Sequence, residues 1–544
     1  MKKVARAAVS AVSVLALSTT LCACGESSDG QITDAIISAF VSEPQNGLIP
    51  GNTNESGGGV VVTQLFSNLV AFDEKGDLKL EVAESITPND DNTEFDIKLK
   101  DGWKFSDGTA VTASSFTRAW SYTATAVNAQ KTSSFLAPIQ GYEEAQKADT
   151  PSDYQLSGLN VVSDSEFTVK LNEPNCAFTS IVGYMAFAPL PEAFYTKGAK
   201  EFGENPISNG PYIFKSWNHS KNISVVRNPD YKGNFKVQNG GIDFKVYTEV
   251  ETGYSDVQAG NLDVMDTVPA SFTKTFQEDS SVQAYNKPGS SIQQFSFAPN
   301  YEHFKDDEEG HLRRQAISMS IDREQLKEKV FNGTVTAATD FLSPMIPGYS
   351  DSLKGGEVLK YNPEKAKELW QKANEISAWD NEKDAFTVSY NADGGNKPVF
   401  DAVANFVKNS LDIKAEANPI ATFQEFRTLV TERKLEGAHR SSWRPDYPSA
   451  ENYLSQQFTT AAAYGNGAND ADYSNPEFDE LIKKAVSVSG DESIKYFQQA
   501  EEILLQDLPF IPLYYNNAIG VASTSVKNFE MDWQNWPVFY KLTK

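Results

Sequence analysis

The sequence predicts a protein of more than one lobe, built of mixed α and β structure in an α/β or α+β arrangement, on the strength of its length and two periodicities. At 544 residues the chain is longer than a single hydrophobic core supports. Apolar residues alternate with period two in FDIKL (Phe95, Ile97, Leu99) and FTVKL (Phe167, Val169, Leu171), as half-buried strands require. They recur at helical spacing in NPEKAKELWQKA from Asn362 and NPEFDELIKKAV from Asn475. Each of these stretches opens with an Asn cap and a Pro at the first helical position. TASSFTRAW starts at a Thr112 cap and places Phe116 and Trp120 on one face. Strands mixed with helices over this length indicate layered lobes.

Turn signals divide the elements: DGWKFSDGT from Asp101, NPISNGPY from Asn205, RNPDYKGN from Arg227 and FAPN from Phe297. The last lies near mid-chain, ahead of the helical stretch LRRQAISMSIDREQL, and predicts a lobe boundary at residues 296–297. No internal repeat is evident.

The N-terminus reads separately. Lys2, Lys3 and Arg6 form a positive region, and Ala7 to Leu21 an apolar stretch of secretory length, too short and too rich in Ser and Thr to span a membrane. It ends in LCAC, Leu21 to Cys24, which resembles a bacterial lipobox. That resemblance implies cleavage before Cys24 and a diacylglycerol on its thiol. GESSDGQ, Gly25 to Gln31, is polar and aperiodic and reads as a flexible tether. Two or more acyl chains at about 0.8 kcal/mol per buried CH₂ hold such a protein at a membrane without a spanning helix.

Loss of residues 1–23 removes three positive charges, leaving 45 Lys plus Arg against 73 Asp plus Glu, a net charge of −28. Nucleic acid and anionic headgroups are thereby disfavoured, and a neutral or cationic ligand fits better. Cys22 belongs to the signal and Cys24 to the anchor, so Cys176 is the one thiol of the folded body and no disulfide is available there. In EPNCAF it reads as a small buried hydrophobe.

Enzyme motifs are absent. His219, His303, His311 and His439 have no metal-ligand spacing, so neither a metal nor another cofactor is expected. NDDNTEFD, Asn89 to Asp96, is oxygen-rich but lacks the Gly and terminal Glu of an EF-hand and reads as a solvated loop. No G-x-S-x-G or H-E-x-x-H occurs, and the glycines at 57–59 lack the Lys-Ser/Thr ending of a phosphate loop.

Several separated stretches resemble, in chain order, the bacterial extracellular solute-binding proteins of family five, the oligopeptide- and dipeptide-binding lipoproteins of ABC importers. They are Leu65 to Phe116 with its KFSDGT core, NPISNGPYIFKSW from Asn205, VRNPDYKGN from Val226, AGNLD from Ala259, LRRQAISMSIDREQL from Leu312 and LPFIPLYY from Leu508. The resemblance covers nearly the whole mature chain. It implies an α/β, two-lobed, periplasmic-binding-protein-like clamshell of type II with an inserted subdomain. The implied parts are a signal at 1–23, a tether at 24–33, lobe I from 34–72, 205–296 and 517–544, subdomain II at 73–204, and lobe III at 297–516. The implied function is capture of oligopeptides in the inter-lobe cleft and delivery, as a monomer, to a membrane permease. The same fold binding an oligosaccharide or another small solute is the alternative.

The resemblance places the ligand at AHRSSWRPDYPSAENYL, Ala438 to Leu454, where Trp443, Asp446, Tyr447 and Pro448 match the family's pattern. It implies that Asp446 pairs with the ligand's α-ammonium, that the Trp443 backbone adds strand-like hydrogen bonds, and that its indole walls a side-chain pocket. Arg440 stands where some members bind the ligand's C-terminal carboxylate, with Arg433 a looser second. ESGGGVVV aligns with the opposing strand, so Gly57, Gly58, Gly59 and Val60 are expected to face ligand backbone. Arg444 completes the expected set. His439 and Arg440 depart from the usual apolar strand and are expected near the cleft, while Glu451 and Asn452 either cap the next helix or reach the ligand.

Overall fold

The computed structural model describes residues 32–465 and 467–544. The signal, the tether to Gln31 and Cys24 lie outside the described residues. No helix among the described residues is long and apolar enough to cross a membrane.

The periodic segments form as expected. FDIKL and FTVKL lie in the strands Glu94–Leu99 and Glu166–Lys170, which pair antiparallel with Phe95 opposite Val169 and Ile97 opposite Phe167. With Ala83–Pro88 and Leu159–Ser163 they make a four-stranded sheet. The helix Ala113–Ala124, closed by a Thr112–Ser115 capping box, covers it, and Phe116 stacks on Phe167 at 6.1 Å while Trp120 meets the same ring edge-on at 5.6 Å. The Asn-Pro helices run Pro363–Ile376 and Pro476–Ser487, with Asn362 Oδ1 accepting the Lys365 N–H at 3.0 Å and Asn475 Oδ1 the Glu477 N–H at 2.9 Å.

An eleven-stranded mixed sheet organises the rest. Its two longest members, Val282–Phe297 and Phe510–Ser523, pair antiparallel and belong to both halves of the molecule. Val282 to Pro288, against Asn517 to Ser523, continues through Val264–Met265 to Ile36–Val41 and Gly241–Val246. Ile292 to Ser296, against Phe510 to Tyr515, continues through Ala438–Trp443 to Phe386–Asn391 and Ala415–Ile420. Between the halves the register slips from Pro288–Asn517 to Ile292–Tyr515. Gly289 sits in this irregularity, where a Cβ would come within 2.6 Å of the Asn516 carbonyl oxygen. Only the absence of a side chain permits that approach.

Separate buried clusters line the two halves. One joins Ile37, Val61, Phe116, Phe167 and Phe244. Two others flank the second half, around Phe295, Val388 and Phe400, and around Ile292, Tyr453 and Leu504. The result is a two-lobed α/β protein whose lobes share one pair of crossing strands.

Candidate functional site

The strand Ala438–Trp443 lies beside the long strand Val282–Phe297, with Trp443 opposite Ile292 and Arg440 opposite Phe295. Its other edge pairs with Phe386–Asn391 only at Ala438 and His439. From Arg440 to Trp443 that edge carries no strand, so its backbone is available to an extended ligand. A Pro-rich turn then leads to the helix Ala450–Phe458, whose cap is Ser449. The Ser449 hydroxyl accepts the Glu451 N–H at 3.2 Å, so the cap is not supplied by Glu451 or Asn452. Asn452 turns back instead, its Oδ1 accepting the Trp443 indole N–H at 3.0 Å and the Asp446 N–H at 3.3 Å. One amide thus fixes both the ring and the turn that carries the acid.

Trp443, Asp446, Tyr447, Glu451 and Asn452 line one side of a cavity of about 280 Å³; Phe135, Asn175 and Ile181, from far earlier in the chain, line the other. The Asp446 carboxyl has no ion-pair partner among the described residues. Burial raises its pKa, and Asn452 and the Arg444 charge offset this only in part. Tyr447 is buried, and its hydroxyl donates to Glu451 Oε2 at 2.6 Å. Arg444 is exposed and donates from Nη2 to the Gln534 carbonyl at 2.8 Å. Its charge also reaches Asp266 and Asp532, which burial pushes up to about 6 and about 7. Sequence reasoning passed over both of these acids.

The remaining expected residues lie elsewhere. Gly57, Gly58 and Gly59 form no strand: they open the helix Ser56–Leu65, where both Glu55 carboxylate oxygens accept the Gly58 N–H at 2.9 and 3.0 Å. Their smallness serves packing, since a Cβ on Gly57 would reach 2.6 Å from the Ser42 carbonyl oxygen and one on Gly59 would reach 3.3 Å from Trp536. Val60 belongs to the core of its lobe. His439 is 2% exposed rather than a cleft cation. Its Nε2 lies 2.9 Å from the Ser296 hydroxyl, and burial pushes its pKa down to about 4, leaving it neutral.

Arg433 is taken by Asp472, with Nε 2.8 Å from Oδ2. Arg440 has no carboxylate partner among the described residues, its Nε lacks an acceptor, and Nη2 donates to the Ser442 hydroxyl at 3.1 Å. Cys176 is half-buried rather than fully enclosed, its N–H donating to the Val486 carbonyl at 2.8 Å. Asp306, His311 and Asp507 come together without any sequence spacing to announce them, and the Arg314 guanidinium at 3.1 Å from Asp306 compensates their charge.

These features, two lobes joined by crossing strands and a cavity with a half-buried acid outside any ion pair beside an open strand edge, match the architecture of solute-binding proteins of the periplasmic type. Residues 77–465 match the family described as bacterial extracellular solute-binding proteins, family 5 Middle. The chain belongs to that family. It is 25% identical over 497 residues to the oligopeptide-binding protein OppA of Bacillus subtilis, covering 89% of this chain and 88% of the relative. To the dipeptide-binding protein DppE of the same organism it is 27% identical over 457 residues, covering 82% and 80%. Among solved structures, the unliganded open form of the murein tripeptide-binding protein MppA superposes with a TM-score of 0.82 at 22% identity, covering 94% of this chain and 97% of that one. Bacillus subtilis AppA in complex with a nonapeptide gives a TM-score of 0.66 at 21% identity, covering 94% and 99%.

Proposed function

We propose that this chain captures oligopeptides by their free amino terminus in the cleft beside Ala438–Trp443 and delivers them to the permease of an ABC importer, held at the outer face of the membrane by a lipid on Cys24. The observation that carries this reading is Asp446: a half-buried carboxylate that forms no ion pair among the described residues and feels the Arg444 charge only from a distance, at the end of an unpaired strand edge. A desolvated carboxylate without a partner is costly, and an ammonium ion that arrives with the ligand offsets that cost. Main-chain pairing along residues 440–443 then binds a peptide whatever its side chains. Arg440, partly buried without a carboxylate partner, suits the ligand's other terminus.

The lobe partition given above is part of this proposal, with the first crossing drawn back to Pro288–Ile292 and the second at Tyr515–Asn517. Rotation at these two irregular points closes the cleft, and ligand shifts the population only through contacts with both lobes. Calorimetry with a pool of tripeptides to pentapeptides tests the reading. Heat and a thermal shift are expected, both abolished by Asp446→Ala; absence of both with the parent chain contradicts it.

A further inference from the structure

The cavity that holds Asp446 contains a second acid. Glu451 stands in the first turn of the helix Ala450–Phe458 and is only 7% exposed. Tyr447 donates its hydroxyl to Oε2 at 2.6 Å, and Glu451 has no ion-pair partner among the described residues. Burial raises its pKa against the opposing hydrogen bonds of Tyr447 and Ser455. The charge of Asp446 is felt by the Tyr184 phenol and that of Glu451 by the Cys176 thiol. No Lys, Arg or His lines the cavity, while Phe135, Pro138 and Ile181 supply apolar surface.

A cavity of mixed lining, with Phe135, Pro138 and Ile181 apolar beside Ser134, Asn175 and Gln456, that holds one carboxylate at the α-ammonium position and a second, buried one matches a particular shape of ligand. A basic side chain lays its methylene stem on apolar surface and presents its charge at the tip. A neutral side chain of the same length fills the space but leaves the desolvated Glu451 with its hydrogen bonds alone and no opposing charge. We infer that the cavity selects peptides whose first residue is basic, Asp446 taking the α-ammonium and Glu451 the side-chain cation. This rests on the reading of Asp446 as the amino-terminal partner, and it adds a specificity that main-chain recognition alone does not supply.

The test is calorimetry with Lys-Ala-Ala-Ala and norleucine-Ala-Ala-Ala, which differ in charge but hardly in length, on the parent chain and on Glu451→Gln. The parent is expected to prefer the lysine peptide by about tenfold or more, the scale of one charge-assisted hydrogen bond. In Glu451→Gln, which keeps an acceptor for Tyr447, the ratio falls to near one through weaker binding of the lysine peptide. Equal affinities for the two peptides in the parent overturn the inference and leave peptide capture standing. Failure of both to bind the parent overturns peptide capture and the inference together. If the variant does not fold, as judged by its melting curve, the comparison in the parent still decides.

Discussion

The Asn452 side chain accepts the Trp443 indole N–H at 3.0 Å and so ties the end of a strand to the first turn of the following helix. The same oxygen accepts the Asp446 N–H. Both the aromatic wall and the acid of the cavity therefore depend on one amide.

Asn452→Ala is expected to weaken peptide binding about tenfold while shifting the melting temperature only slightly. The loss comes from a loosened indole and a turn free to move Asp446, each held by a bond worth about 1 kcal/mol. Titration calorimetry measures the affinity, and tryptophan emission reports the freed ring. Unchanged affinity argues that Trp443 and the turn are held by packing alone.

Glu501 and Asp340 are both fully buried, and neither Glu501 carboxylate oxygen meets a hydrogen-bond partner of good geometry among the described residues. Burial and the neighbouring Asp340 charge raise the Glu501 pKa far above the usual carboxylate range. The folded state therefore keeps a proton that the unfolded chain has released above about pH 4.5. Stability falls as pH rises from there towards the folded pKa. Glu501→Gln is expected to be more stable than the parent at neutral and alkaline pH, by about 1–3 kcal/mol, in denaturant melts from pH 5 to 9. A variant less stable at every pH contradicts the raised Glu501 pKa.

His439 works in the opposite direction. Burial holds its pKa near 4, below the unfolded value, so the unfolded chain binds the extra proton between about pH 6.5 and 4. Its contribution to stability is whole above that window and is lost as pH falls through it, by up to about 3 kcal/mol. Melts at pH 7 and 4.5 on the parent and His439→Gln measure this, the variant losing less on acidification. An identical loss in both assigns the acid sensitivity to other groups.

Gly289→Ala is expected to cost about 1–3 kcal/mol by overpacking, because the new methyl meets the Asn516 carbonyl and Asn535 Oδ1, each at 2.6 Å. The damage falls on the crossing between lobes, so peptide association slows as well. Stopped-flow fluorescence of peptide binding, beside a thermal melt, separates the two effects. An alanine variant with parental melting and kinetics shows that the crossing has room to give.

The parts legible in the sequence were those with a local signal. Asn362 and Asn475 each announced a helix because an Asn cap, a Pro and a 3.6-residue pattern coincided, and the helices begin where expected. Gly57 to Gly59 misled because their place on a strand rested on the family resemblance alone, and three glycines carry no periodicity of their own to set against it. Glu55, which caps their helix, was the local sign of the true state. At the site, the strand and turn from Ala438 to Asp446 were visible as a cluster of unusual residues. The facing wall was not, since Phe135, Asn175 and Ile181 approach it only through tertiary packing. His439 was misplaced for a related reason: alternation along a strand tells which residues share a face, not which face meets solvent.

The most direct test of the account compares a free tripeptide with its N-acetylated form by calorimetry, on the parent chain and on Asp446→Asn. The account predicts that acetylation weakens binding to the parent about a hundredfold or more, the loss expected when one partner of a desolvated charge pair is removed. It also predicts that Asp446→Asn binds the free peptide equally weakly, with little further loss on acetylation. An acetylated peptide that binds the parent as tightly as the free one contradicts the assignment of Asp446 to the ligand's amino terminus.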